Sequence, residues 1–560
     1  MEVSFAKSDI TPEIRGISML GYGNPKNVVK GVETPIMVRG TCFKDEDDYH
    51  YFILNYEICF ITDSLYSTLN DFLKEQFPKN NYTIHLSAQH THSAPSGYDY
   101  YALYNMPTPG FVPEVFEKYI EGAKIVIKEL LSKLGPGEIL FSEERISLSE
   151  DVSFNRSMEA YLNNPEVKAE SLPQTKRAAV DKNMQVLSVK RDGKIIGSLN
   201  WFAVHATNIP NTNFYISPDN KGYAANKVEA QIQEHVALFN QGCAGDVSPN
   251  FIKQGRRGAR LRGKYANPFD SARYNGELQA QHCLKIIQDG EKKEIKGKIF
   301  SQKVFRDLSD IRPYKEFLPP EASDTAKTSE PCHGVAFIQG TKDGPGIPHF
   351  LGFFIKLLAS FVKMLHILLS FLMPKSSREK VWSLYRSQFP KSVFVNAGEK
   401  SVLGISDLNK LPIPGIVDPL IKTMKGFYQK GALRELTWVQ KILPVQLTII
   451  DKLVIATFPG EVTTIAGRRM RHQIKKSLGD EYKVIISPYS NAFCGYITTP
   501  EEYEMQLYEG GHTLFGKWTL PAFQSILDDL LKAYKNNSIA ESVEPPIFSA
   551  EEITLRTYQN

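Results

Sequence analysis

The stretch Ser87-Ala88-Gln89-His90-Thr91-His92-Ser93-Ala94-Pro95 constrains the chain most, because of what leads into it. Residues Tyr51 to Tyr56 read as a strand, Asp63 to Gln76 as a helix with an acidic N-cap, and Tyr82 to Ser87 as the next strand. That succession is a βαβ unit, and a chain containing one is committed to an α/β sheet with ligands collecting beyond the carboxyl ends of its strands. His90 and His92 stand at that edge. Residues two apart on extended backbone project to the same side, so one ion or one substrate meets both. The alternative is that the two imidazoles only satisfy buried backbone groups.

Other candidate residues follow the same placement. Lys194 to Ala206 reads as a strand ending in His205, and Gly222 to His235 as a helix. Val236 to Gln241 is a strand running into Gly242-Cys243-Ala244-Gly245-Asp246-Val247-Ser248-Pro249-Asn250, where small residues flank Ser248. Leu453 to Phe458 leads into Glu461 and a helix from Val462 to Lys476, and Lys483 to Ser487 leads towards Tyr496. His90, His92, His205, Ser248, Glu461 and Tyr496 therefore fall at equivalent ends of separate predicted strands. Two imidazoles and a carboxylate match the ligand set of a catalytic zinc, which lowers the pKa of water and polarises a carbonyl. The separations are too long for a local zinc motif, so only the fold can bring these residues together. Pro113 to Leu134 reads as a scaffold helix stopped by Gly135-Pro136-Gly137. Gly21-Tyr22-Gly23-Asn24 is either a plain turn or a loop whose glycines let backbone come close to a ligand.

Composition excludes little. With 560 residues there is room for two or three domains, or one large catalytic domain with insertions. A formal charge of +4 gives no argument for nucleic acid as a partner. Lys253, Arg256, Arg257, Arg260, Arg262 and Lys264 form a basic run that is either a solvated loop or a contact for anionic headgroups. The six cysteines are scattered without a C-x-x-C pair, and Cys59 and Cys243 lie in apolar runs as buried thiols. The N-terminus has no basic region followed by an apolar one. The expectation is a cytoplasmic or peripheral membrane protein, or a secreted one whose leader is not included.

Several segments resemble the neutral/alkaline non-lysosomal ceramidase family. They include Asp9-Ile10-Thr11-Pro12, Met19 to Gly23, His90 to Pro95, Asn155-Arg156-Ser157 and Asn200 to His205. Ser217 to Ala224, Gly245 to Asn250, Gly340 to Gly346, Phe458 to Glu461 and Tyr496 to Tyr503 with Tyr508-Glu509 continue the match in family order. The resemblance implies an α/β fold, a layered mixed β-sheet catalytic domain with flanking helices. It also implies one zinc ion per chain bound by His90, His205, Glu461 and Tyr496. His92 would act as acid and base towards the attacking water, Arg156 and Tyr508 would stabilise the oxyanion, and Ser248 would be either the nucleophile or a residue orienting the amide. A structural Ca2+ or Mg2+ ion stays open, and nothing fixes the oligomeric state. The activity implied is cleavage of the N-acyl bond of ceramide to sphingosine and fatty acid. Hydrolysis of another long-chain N-acyl amide, or lipid binding without catalysis, are the competing readings.

Two departures stand out. Family members usually carry cysteines after the serine motif, whereas Pro249 to Gly276 has none, which points to a reducing compartment. The family's C-terminal immunoglobulin-like β-sandwich is not expected in the residues after Tyr496. A division into residues 1–535 as catalytic domain, with an apolar insertion at 348–374, and 536–560 as tail is expected instead. Phe350 to Met373 is long enough to span a bilayer, but a single span would put His90 and Glu461 on opposite sides. Lys356, Ser360, Lys363, His366 and Ser370 recur at helical steps as a polar stripe. That pattern favours a helix lying on a membrane surface, with a core helix as the alternative.

Overall fold

The computed structural model describes residues 1–108, 110–255, 260–411, 419–433 and 437–558. Arg256 and Arg257 of the basic run lie outside them.

Three mixed sheets carry the architecture. The first has the order Tyr82–Ala88, His50–Tyr56, Met37–Lys44, Glu2–Asp9 and Gly135–Pro136. The second runs Val236–Gln241, Lys194–Phe202, Asn183–Arg191, Glu138–Arg145 and Lys293–Ile295. The third runs Ile299–Asp307, Ile442–Ile450, Leu453–Thr457 and Lys483–Ser487. Each sheet ends in one parallel pair joined by a helix, with registers His50↔Tyr82, Gly197↔Val236 and Leu453↔Lys483, and the remaining ladders are antiparallel. Crossover helices Asp63–Gln76, Asp219–Gln231 and Thr464–Leu478 make these three βαβ units. The expected α/β layering with flanking helices is the observed one.

The sheets share one apolar centre. Phe5 and Tyr51 of the first, Trp201 and Leu238 of the second, and Ile455 and Ile485 of the third belong to a single buried cluster. The outer face of the second sheet is covered by Asp219–Gln231 and Pro268–Asp289, which bury Val228, Ala280 and Ile286 against Phe239.

Local boundaries differ from expectation for physical reasons. The cap of the first crossover helix is Thr62, whose hydroxyl accepts from Leu65 N–H; Asp63, expected as the cap, is the first helical residue. The strand from Lys194 stops at Phe202, because the following backbone turns away and His205 N–H donates to Val247 O. After Tyr496 the described residues hold the helices Pro500–Glu504, Tyr508–Gly511, Thr519–Asn536 and Ala550–Arg556, and no β-sandwich. The apolar stretch forms His349–Ser370, a helix mostly exposed that meets the core only along a narrow strip at Ile355 and Ala359, and Lys375–Ser387 folds back against it.

The first two sheets are joined by a buried ion network. Arg39, in Met37–Lys44, donates to Glu57 and, at 2.7 Å, to Glu229 of the helix Asp219–Gln231, and all three side chains are nearly inaccessible. Removing one member of such a network leaves an unpaired buried charge, a loss of about 3–5 kcal/mol. Arg39→Met should therefore lower the thermal unfolding temperature by several degrees, and adding Glu57→Gln should recover part of the loss. An unchanged melting curve for Arg39→Met would contradict this role.

Candidate metal centre and active site

The carboxyl ends of the three parallel pairs meet. Gln241, at the end of Val236–Gln241, donates through Nε2 to Gln89 O at 2.8 Å and to Val204 O at 2.7 Å, so one buried amide ties the backbone before His90 to that before His205. Asn220 Nδ2 donates to His205 O at 2.9 Å, and Lys221 Nζ to Phe202 O at 2.8 Å. The segment Ser217 to Ala224 thereby fixes the loop carrying His205. Glu461 sits directly beside Tyr496 in a short parallel ladder and reaches the same place from the third sheet. Gly245 lets these segments touch, since a Cβ there would lie 2.7 Å from Glu461 O.

His90 Nε2 and His205 Nε2 lie 3.3 and 3.0 Å from Glu461 Oε2. His90 Nδ1–H donates to Cys59 O at 2.6 Å, and His205 Nδ1–H donates to Ala244 O at 2.7 Å. A carbonyl can only accept, so each Nδ1 carries a proton, and in the neutral rings each Nε2 presents a lone pair to a carboxylate. Three acceptors facing one another need a cation or a proton between them. Burial opposes charge on Glu461, yet His90 and His205 hold its carboxyl well below the usual range. Burial likewise opposes charge on His90, but Glu461 and Cys59 outweigh it and raise its pKa to about 10, whereas burial and Arg156 push His205 down. The donor set of two imidazoles and a carboxylate fits zinc. Among the described residues, the one other group with metal-ligand geometry is Cys59, His90 and His92. Both groups contain imidazole, so neither is the all-oxygen cage that calcium or magnesium takes.

His90 and His92 do converge, with their Nε2 atoms 3.1 Å apart, but not by strand alternation. The strand ends at Ala88, and His90 has left-handed backbone, φ 73°, so a turn brings the rings together. His92 is packed edge-on against Tyr22, with ring centroids 4.6 Å apart, and its Nδ1 is buried without a hydrogen-bond partner. The loop at Gly21 is the close-approach kind: a Cβ there would lie 2.4 Å from His92 Cγ, on backbone of φ 115°.

Arg156 follows the short ladder in which Asn155 pairs with Val247, and that ladder carries it to the centre. Its Nη2 donates to Tyr496 Oη at 2.9 Å and to Gly245 O at 2.9 Å, while Nε donates to Glu509 at 2.9 Å. The Tyr508 ring lies 5.8 Å from the guanidinium. Ser248 is fully buried, its hydroxyl donating to Asp343 Oδ1 at 2.8 Å and accepting from Asn250 N–H at 2.9 Å. Its hydroxyl is hydrogen-bonded to a carboxylate and not to an imidazole. Asp343 also stands 3.5 Å from Arg156, so Ser248 connects to the centre through two charged side chains.

A cavity of about 160 Å³ opens onto this cluster. Its polar end is formed by His90, His92, Glu461, Tyr496 and Tyr508, and its walls by Phe60, Leu103, Met106, Phe337, Phe394 and Phe493 among others. Ser248 and Arg156 are not among the lining residues. Three contributors were not singled out in the sequence. Tyr489 donates to Glu461 Oε2 at 3.3 Å, Glu509 holds Arg156, and Asp343 holds Ser248. Asp343 and Glu509 lie in segments already matched to the family, which was their only signal; Tyr489 had none.

The family model described as "Neutral/alkaline non-lysosomal ceramidase, N-terminal" matches residues 1–410 and 426–525. A neutral ceramidase of Pseudomonas aeruginosa is 28% identical over 550 residues, covering 96% of this chain and 72% of its own. One of Drosophila melanogaster is 26% identical over 593 residues, covering 99% and 78%. Among solved structures, "Ceramidase complexed with C2" aligns with a TM-score of 0.78 at 26% identity, covering 98% of this chain and 77% of that one. The crystal structure of the neutral ceramidase from Pseudomonas aeruginosa aligns with a TM-score of 0.76 at 25% identity, covering 98% and 76%.

The Gly21 contact yields a direct test. Gly21→Ala should displace the His92 ring, and a misplacement near 1 Å costs about 100-fold in rate. Ceramide turnover should fall by that order while bound metal, measured by atomic absorption, stays constant. Unaltered turnover would mean that His92 does not depend on this contact.

Proposed function

The chain belongs to the neutral/alkaline non-lysosomal ceramidase family, and we propose that it cleaves the N-acyl bond of ceramide at one zinc ion held by His90, His205 and Glu461, with Tyr496 as a further ligand. The observation that carries this reading is the meeting of Glu461 Oε2 with two Nε2 atoms whose rings are oriented by Cys59 O and Ala244 O. A zinc ion there supplies a Lewis acid and makes water a competent nucleophile near neutral pH.

The protein's own groups do the rest. His92, held by Tyr22 and Gly21, takes a proton from the attacking water and returns one to the leaving amine, so that water is consumed and sphingosine and fatty acid are released. Burial, with His90 and His205 beside it, depresses the pKa of His92, which keeps its ring neutral and able to accept. Arg156 keeps its positive charge next to the centre through Glu509 and Asp343, and its donation to Tyr496 Oη sets that charge directly behind the polar end of the cavity, where it favours negative charge developing on the amide oxygen. Tyr508 lines the same end of the cavity and serves with Arg156. Apolar walls suit acyl and sphingoid chains and leave few polar groups to read a headgroup, which keeps other long-chain N-acyl amides as a second substrate class.

Ser248, with its hydroxyl held between Asp343 and Asn250 N–H, is read as a positioning residue that sets Asp343 and through it Arg156, and not as the nucleophile.

Two experiments test this. Purified protein should hold one zinc per chain, lose sphingosine release on chelation and regain it with zinc. His205→Ala should cost more than the roughly 10–100-fold that follows loss of an outer hydrogen-bond partner of a metal ligand. Full activity in metal-free protein would overturn the proposal. Rapid-quench kinetics should give no burst of released amine; a burst equal to the enzyme concentration, with acyl group covalently retained, would make Ser248 the nucleophile.

A further inference from the structure

The helix His349–Ser370 is inside out. Only 11% of its most apolar 18-residue stretch is buried. The polar stripe turns towards the protein: His366 Nδ1 is 2.8 Å from Tyr385 Oη, Ser370 Oγ accepts from Trp382 Nε1 at 3.1 Å, and Lys363 lies over the Phe389 ring. Ser360 departs from the stripe, being exposed and bonded to Lys356 O of its own helix. The outward face is apolar, with Phe350, Phe353, Phe354, Phe361 and Phe371 each more than half exposed. At 150–250 Å² per aromatic side chain, these five alone leave roughly 500 Å² of apolar surface in water. That equals the largest patch on an ordinary monomer, before Leu357, Leu368 and Leu372 are added. A surface helix of a water-soluble protein shows the reverse arrangement.

We propose that this helix lies in the plane of an anionic lipid surface, its apolar face among the acyl chains, so that the cavity opens at the lipid. Three observations select lipid as the occupant. The helix Lys375–Ser387 carries Lys375, Arg378, Lys380 and Arg386 against the single acid Glu379, which complements anionic headgroups. The helix lies beside the cavity, because Phe337 and Ile338 line the cavity and belong to the short helix Val335–Gln339, which packs directly on His349–Ser370. The helix does not span, since Lys375–Ser387 folds back on it and residues before and after it meet at the metal centre. The proposal rests on the ceramide reading only for the lipid nature of the cavity's ligand.

The test is flotation with vesicles of phosphatidylcholine, alone or mixed with phosphatidylserine. The wild-type protein should float with the mixed vesicles, less so at high salt. Phe353→Glu combined with Leu357→Glu should reduce the bound fraction at least about tenfold, while hydrolysis of a dispersed short-chain ceramide without vesicles stays within about twofold. Equal flotation of wild type and variant would overturn the proposal. So would a wild-type dimer in sedimentation that the same substitutions dissolve, with no vesicle binding, since a second copy would then cover the face. Vesicle binding by a protein inactive on every ceramide would support this surface and count against the catalytic reading.

Discussion

Everything at the centre depends on an electrostatic demand: a buried carboxylate and two imidazole nitrogens point their lone pairs at one place. Cys59 O and Ala244 O enforce it, because they hold the Nδ1 protons and leave the Nε2 atoms of His90 and His205 no choice but to face Glu461. Outer hydrogen bonds of this kind orient metal-ligating imidazoles and raise their basicity. In a buried site the demand is met by a cation or by a proton on His90, and metal binding therefore competes with protonation.

The fold exists to bring those groups from distant segments to one place. Three sheets each contribute one parallel pair, whose carboxyl ends are where α/β architecture leaves room for ligands. Polar side chains lock the junction: Gln241 bridges two strand ends, Trp201 donates to Ser487 Oγ, and His85 Nε2 meets Ser490 Oγ. Buried hydrogen bonds of this kind specify a single arrangement, because any slip would break several of them together. Burial around them makes the arrangement costly to distort.

Much of this was legible in sequence. The strands Val236–Gln241 and Lys483–Ser487 were bounded to the residue because short apolar runs flanked by turn signals leave little latitude. His90, His205 and Glu461 lie just beyond the strands Tyr82–Ala88, Lys194–Phe202 and Leu453–Thr457, whose apolar runs are readable in the sequence. Less legible was anything set by tertiary contact. Periodicity revealed the polar stripe of His349–Ser370 but not that the stripe faces inward, since a moment has no sign until a neighbour is known. Strand alternation does not explain why His90 and His92 converge, because the left-handed backbone at His90 cannot be read from a histidine in the sequence. The sequence shows small residues around Ser248 but not their purpose: the smallness accommodates Glu461 backbone against Gly245, and the hydroxyl is held by Asp343.

Two overlapping sets of side chains offer metal-ligand geometry: His90, His205 and Glu461, or Cys59, His90 and His92. Zinc K-edge X-ray absorption of the purified protein separates them. The first set predicts nitrogen and oxygen neighbours alone, at about 2.0–2.2 Å, while a sulfur neighbour at about 2.3 Å would move the ion to Cys59 and contradict the account.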